Sequence, residues 1–197
     1  RTRDDAPLGP SRAIALFAVR RFGPSLLHAG SGATHLAIAA GVLGVMALGA
    51  GWLKMIGTGL ILCAFGWILR EASELLGRID GDPSQPLSRM LAQTYAYGLF
   101  LDAVIIGLAG WAVSAAPWQP MPDRFFPPFM LVVLLRMLAR ILRGRWAAWL
   151  DDRALLALGM ALAVASGKGS EVIHGVAILA ALAGIALPGL SKRLTRA

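Results

Sequence analysis

The sequence predicts an all-α integral membrane protein with six transmembrane helices, preceded by an N-terminal interfacial amphipathic helix. Of the 197 residues, 57% are hydrophobic and only 15% are charged, and the mean hydropathy is +0.66. This composition offers too little polar surface to cover a soluble globule of the same size. Apolar runs also recur along the chain at lengths that suit a hydrocarbon core of about 30 Å. These two observations together place the chain in the membrane class.

The predicted elements follow one another along a single domain. Residues 1–10 are polar and predict a flexible cytoplasmic tail, and residues 11–197 form the six-helix domain. Ser11 to His28 is too short and too charged to span a membrane, and its pattern is typical of an interfacial helix. Spans are predicted at residues 32–52, 55–76, 87–113, 126–143, 154–167 and 172–190. Because the fifth run is short, four spans with two buried hairpins remain the alternative.

The distribution of basic residues predicts the orientation of these spans. With the N-terminus in the cytoplasm, 16 of the 19 lysines and arginines lie on or near the cytoplasmic side. Only Lys54, Arg124 and Lys168 lie outside. Both termini are therefore expected to be cytoplasmic, and the alanine- and glycine-rich composition suggests a bacterial inner membrane. The net charge of +8 sits at the ends of apolar runs rather than on a basic stripe, which excludes a nucleic-acid partner.

The stretch from Arg70 to Asp102 carries five of the eleven acidic residues and joins two long apolar runs. Glu71 and Glu74 are three residues apart and therefore share one helix face, and Arg78 lies four residues beyond Glu74. These residues indicate either a cation or head-group site, or a solvated helix end with an ordinary ion pair. The hinge is the predicted location of any chemistry.

From Ala13 to the C-terminus, the order of features resembles the CDP-alcohol phosphotransferase family. The features are the amphipathic helix, the helix start GATHLAIAAGVLGV, the acidic end of span two, the GDPS turn, the arginine-rich end of span four and the basic tail. Members of that family are membrane enzymes of phospholipid biosynthesis that transfer a CDP-activated alcohol and release CMP. The resemblance implies a transferase fold, membrane lipid as ligand and a homodimer.

The catalytic signature of that family is only partly present in this chain. The signature reads Asp-x-x-Asp-Gly-x-x-Ala-Arg, followed after eight or nine residues by Gly-x-x-x-Asp-x-x-x-Asp. In the best register Glu71 and Glu74 take the first two acidic positions, and Leu75 stands at the glycine position. The two later aspartates fall on Ala92 and Ala96, or on Gln93 and Tyr97. The resemblance therefore implies a catalytically impaired protein, because two glutamates supply too little ligand charge for two dications.

Two functional hypotheses follow, because the chain resembles the family in layout but lacks part of its catalytic signature. In the first, the chain is a diverged enzyme of head-group transfer, in which Glu71 and Glu74 hold Mg²⁺ or Mn²⁺ and Arg78 and Ser84 contact nucleotide or phosphate. In the second, it is a pseudoenzyme, a non-catalytic membrane subunit that binds lipid or a protein partner through the same cavity. A transporter is disfavoured because neither an inverted repeat nor a broken helix is evident.

Two further groups of polar residues are candidates for function. Arg136, Arg140 and Arg143 have helical spacing and predict either contacts with lipid phosphate or simple positive-inside anchoring. Ser88, Tyr95 and Asp102 recur every seven residues and predict a polar face within span three. Counting about 1.5 Å per residue places Asp102 and Arg136 at matching depths, so the two side chains are predicted to face each other inside the bundle or to share a small polar cavity. They would serve either as a buried ion pair that fixes helix packing or as part of a proton or ligand path.

Overall fold

The computed structural model describes residues 9–28, 32–80, 87–113, 121–142 and 145–194. All regular structure within these ranges is α-helical, which confirms the all-α prediction. The helices are α1 (Pro10–His28), α2 (Ala33–Trp52), α3 (Ile56–Asp80), α4 (Leu87–Val113), α5 (Met121–Ile141), α6 (Arg145–Leu150), α7 (Arg153–Ala165) and α8 (Gly169–Leu194).

One helix lies at each of the six predicted spans, and α1 lies where the amphipathic helix was predicted. Helix α6, which has six residues and follows the arginine-rich end of α5, was not predicted from the sequence. The second span was predicted to end near residue 76, whereas α3 continues to Asp80. Charged residues do not end a helix by themselves, since arginine and glutamate are good helix formers.

Helices α2, α3 and α4 pack closely because small residues line their contacts. The ring of Phe100 lies so near Gly44 that a Cβ there would stand 2.5 Å from the ring carbon Cε1. A Cβ at Gly59 would stand 2.8 Å from the main-chain oxygen of Ala47. Glycine is therefore required at position 59, where the obstacle is backbone, whereas a Cβ at position 44 would require the Phe100 ring to move.

Helix α3 is central: it packs against α1, α2, α4 and α7, while α8 packs against α4, α5 and α7. Both described helix–helix turns at one end of the bundle carry a lysine, Lys54 between α2 and α3 and Lys168 between α7 and α8. The α4 end with Trp111 also lies there, against Gly51. We call this the lysine end, and the opposite end, where α1 packs on the last turns of α3, the arginine end.

The surface of the bundle is largely apolar. Large hydrophobic side chains are exposed on α2, α3, α4, α5, α7 and α8, for example Val45, Phe65, Leu99, Leu162 and Leu179. Two helical stretches among the described residues are long and apolar enough to cross a membrane, Ala33–Trp52 and Thr94–Val113. Shorter apolar helices occupy Pro127–Ala139, Arg153–Ala165 and Gly169–Ala183.

Candidate functional site

The two glutamates of the hinge are each paired with arginine. Arg70 lies 2.6 Å from Glu71 and 3.3 Å from Glu74, so a single guanidinium bridges both carboxylates. Arg78 donates a hydrogen bond of 2.7 Å to the second oxygen of Glu74, and Arg12 of α1 lies 3.9 Å from Glu71. These five residues form what we call the glutamate cluster, and it contains three positive and two negative groups.

Arg70 is held in place by two contacts beyond the carboxylates. Its Nε donates a hydrogen bond to the main-chain oxygen of Thr94 at 3.3 Å, and its guanidinium carbon lies 5.1 Å from the centre of the Trp67 ring. A cation over the face of an indole ring is an attractive arrangement. Gly98 of α4 packs beside both side chains, and a Cβ there would lie at ordinary contact distances of 3.4 Å from Trp67 and 3.5 Å from Arg70.

The residues of the glutamate cluster do not fit the divalent metal that the family resemblance implied. The arrangement places a guanidinium between the carboxylates, where a cation would have to bind. Magnesium binds through carboxylate oxygens and phosphates, and nearby positive charge opposes it. Across the described part of the chain, no group of three or more histidine, cysteine, aspartate or glutamate side chains is close enough to hold a metal ion.

A second ion-pair cluster lies deeper between the helices. Arg136 of α5 lies 3.4 Å from Asp102 of α4, which confirms the predicted pairing. Arg153, the first residue of α7, lies 3.5 Å from the other oxygen of Asp102 and 3.2 Å from Asp151. Arg136 also lies 3.8 Å from Asp151. We call these four residues the Asp102 cluster; Asp102 is 7% exposed and Arg153 only 3%.

The short length of α7 explains why Arg153 reaches Asp102. At about 1.5 Å per residue, the 13 residues of α7 extend for about 20 Å, which is less than a hydrocarbon core. Counted from the lysine end, Arg153 lies about 18 Å deep, and Asp102, eleven residues before the end of α4, lies about 16 Å deep. The start of α7 therefore meets α4 within the bundle rather than at its surface.

Two nitrogens of the Asp102 cluster lack a hydrogen-bond partner among the described residues. Arg153 Nε and Nη1 each have less than 1 Å² of exposed surface and no acceptor within hydrogen-bonding geometry, although Nε lies 3.5 Å from Asp102. An unsatisfied donor of a buried charge costs free energy unless water or a ligand supplies an oxygen. These nitrogens are accordingly positions at which an additional oxygen would be stabilised.

An apolar cleft of about 260 Å³ lies beside the Asp102 cluster. It is lined by residues of α5, α6, α7 and α8 together with Asp152, including Leu131, Leu135, Leu156 and Val176. Leu135 directly precedes Arg136 in α5, so the cleft and the arginine belong to the same stretch of helix. A cleft with this lining suits a hydrocarbon chain.

The structure tests some of the predicted site residues and not others. Glu71, Glu74 and Arg78 come together as predicted. Tyr95 and Asp102, seven positions and about 10 Å apart along α4, differ in burial, since Tyr95 is 62% exposed and Asp102 is 7% exposed. At Asp102, α4 is contacted by Arg136 of α5 and Arg153 of α7. Ser84, Arg143 and the side chains of Ser88 and Arg140 lie outside what the structure describes.

Four members of the two clusters were not predicted from the sequence: Arg12, Arg70, Asp151 and Arg153. Arg70 and Arg153 looked like ordinary positive charges at the ends of apolar runs. One feature of the sequence could have indicated the Asp102 cluster: the fifth apolar run is short, and an Asp-Asp-Arg sequence stands at its start. Comparison with protein-family models, with curated proteins and with solved structures gives no match for this chain.

Proposed function

We propose that this chain is a six-span integral membrane protein of the CDP-alcohol phosphotransferase type that has lost metal-dependent transfer and binds the phosphate of a membrane lipid. The observation that carries this proposal is the bridging of Glu71 and Glu74 by Arg70, with Arg78 and Arg12 on their remaining sides. A site with this charge favours an anion over a dication.

The membrane location is supported by an apolar exterior combined with buried ionisable side chains. Large apolar side chains cover the outside of α2 and α8, whereas Asp102, Glu74 and Arg153 are buried. In a bilayer an apolar exterior is favourable, and ionisable residues face the bundle interior and pair with one another. The excess of arginine at the arginine end supports its placement in the cytoplasm, as the positive-inside rule requires.

Loss of transfer activity is supported by the surroundings of the two glutamates. A catalytic carboxylate in such a site must be free to bind metal or to accept a proton. Here Glu74 accepts a bond from Arg78 and lies beside Arg70, and Leu75 stands where the family pattern has glycine. A diphosphate would meet that leucine side chain instead of the helix backbone.

Lipid binding is also supported at a second place, apart from the glutamate cluster, where α5 carries both Arg136 and part of the lining of the apolar cleft. Arg136 is 45% exposed while still paired with Asp102, so part of its guanidinium remains available to an anionic group. The neighbouring cleft between α5 and α8 provides an apolar environment for an acyl chain. A phospholipid carries both an anionic phosphate and a hydrocarbon chain, and a soluble phosphate carries only the first. We therefore prefer a phospholipid as the ligand.

The first prediction concerns catalysis. Purified wild-type protein, supplied with Mg²⁺ or Mn²⁺ and a panel of CDP-alcohols with polar acceptors, should release no CMP above a no-protein control. The reason is that the carboxylates are already neutralised by arginine. Liquid chromatography of the nucleotide products measures this. Metal-dependent CMP release that falls in Glu74→Ala would show that the site is active and refute the proposed loss.

The second prediction concerns lipid retention. Native mass spectrometry of the detergent-purified protein should show a bound anionic phospholipid, and Arg12→Gln or Arg78→Gln should weaken its binding about fivefold, the equivalent of about 1 kcal/mol per arginine. Lys168→Gln is the matched control, because it removes one exposed positive charge at the lysine end. Equal lipid retention in all three variants would contradict a role for the glutamate cluster, and a co-purifying protein without lipid would favour a partner-binding subunit.

A further inference from the structure

Helix α1 presents two unlike faces. Its inner face consists of small residues, among them Ala15 and Val19, which pack against Ala72 and Leu76 of α3. Its outer face carries Phe17, which is 70% exposed, and Ile14, which is 54% exposed. Arg20 and Arg21 are exposed on the same helix, and residues 10–28 include no acidic residue. An apolar strip flanked only by positive charge is typical of a helix that lies on an anionic membrane surface.

The start of α1 is attached to the bundle through the carboxylate of Asp152. One oxygen of Asp152 accepts a hydrogen bond of 2.7 Å from the main-chain N–H of Ser11, across 141 positions of sequence. Its other oxygen accepts a bond of 3.0 Å from the N–H of Leu155 and so caps α7. The approach is close, since a Cβ at Gly9 would lie 2.8 Å from the oxygen of Ala148. One side chain therefore caps two helices.

Asp152 lies in the α6–α7 turn, between two residues of the Asp102 cluster. Asp151 precedes it and Arg153 follows it, and both pair within that cluster. A shift of α1 that breaks the hydrogen bond from Ser11 to Asp152 would leave the α6–α7 turn less firmly held. Arg12 of α1, which lies 3.9 Å from Glu71, provides a second link between α1 and the bundle.

We infer that α1 senses an anionic membrane surface and that Asp152 transmits this binding to the first turn of α7. The outer face of α1 binds the anionic head groups, which holds α1 against the bundle and keeps both bonds of Asp152 formed. Coupling of this kind is reciprocal, so disruption at either helix is expected to loosen the other. The inference depends on the proposed membrane location but not on lipid binding by the glutamate cluster.

The test compares amide hydrogen exchange in two kinds of nanodisc, one of phosphatidylcholine alone and one with an equal amount of phosphatidylglycerol. Phosphatidylglycerol should slow exchange about fivefold in α1 and in the first turn of α7, as expected for one stabilised cap. The double variant Arg20→Gln/Arg21→Gln should abolish both responses. Lys168→Gln should leave both responses intact. Failure of the protein to enter nanodiscs would count against the membrane location itself.

Asp152→Asn separates the coupling from general stability. Asparagine is a good helix cap, but its amide group has only one acceptor oxygen, so it holds one of the two bonds and not both. We expect α7 to stay capped, α1 to exchange about fivefold faster, and the first turn of α7 to lose its response to phosphatidylglycerol. An unchanged response of α7 in this variant would refute coupling through Asp152. Equal exchange of wild-type α1 in both nanodiscs would refute the surface interaction.

Discussion

Replacement of Asp102 by alanine is expected to destabilise the protein by about 3–5 kcal/mol, the range typical for removal of one partner from a buried ion pair. Asp102 contacts both Arg136 and Arg153, and it is the more buried of the two acids that do so, since the side chain of Asp151 is 55% exposed. Its loss would leave Arg153, which is 3% exposed, with Asp151 as its remaining ion-pair partner in the described structure. Thermal or denaturant unfolding in detergent micelles measures the change.

A double-mutant comparison identifies the cause of this loss. Asp102→Ala combined with Arg153→Met removes both charges and replaces the guanidinium with an unbranched apolar chain. Removing one partner of a buried ion pair costs more stability than removing both, because the remaining charge is left buried without its partner. The double variant should therefore be more stable than Asp102→Ala alone. Asp151→Ala is the control for an exposed acid of the same cluster, because its side chain is 55% exposed, and it should cost far less. Additive losses in the double variant would contradict a coupled pair.

Gly59→Ala is expected to destabilise the contact of α2 with α3 by about 1–3 kcal/mol, the usual cost of overpacking. The added methyl group would stand 2.8 Å from the main-chain oxygen of Ala47 and 2.9 Å from Leu108. A side chain could rotate away, but the helix backbone of α2 has to shift as a whole. Unfolding by denaturant in micelles gives the difference from wild type.

Gly57→Ala provides a matched control one half-turn away in the same helix. A Cβ at Gly57 would meet only the oxygen of Ala161, at the ordinary distance of 3.9 Å. Because alanine is the better helix former, this variant should be neutral or more stable by up to about 1 kcal/mol. If both variants lose the same stability, the loss has a cause common to both positions and not the close approach at Gly59.

The local pattern of the sequence determined where the helices lie. Long apolar runs separated by polar segments predict helices at residues 32–52, 87–113 and 172–190, and α2, α4 and α8 occupy those stretches. Counting along helices also predicted the pair of Asp102 with Arg136, because helical rise fixes depth from sequence position. The pair of Glu74 with Arg78 followed from their spacing of four within α3. Each of these predictions uses either the residue spacing within one helix or a count of residues along two helices.

Only the tertiary structure decided which charges meet across helices. Arg153 joins Asp102 because α7 is short and begins within the bundle, and Ser11 meets Asp152 although 141 positions separate them. Arg70 bridges two carboxylates because α3 turns that face toward α4, where Thr94 accepts a hydrogen bond from it. Such contacts depend on the rotation of each helix about its axis and on its height in the bundle. Packing between distant residues sets both quantities, and no periodicity within a single helix contains that information.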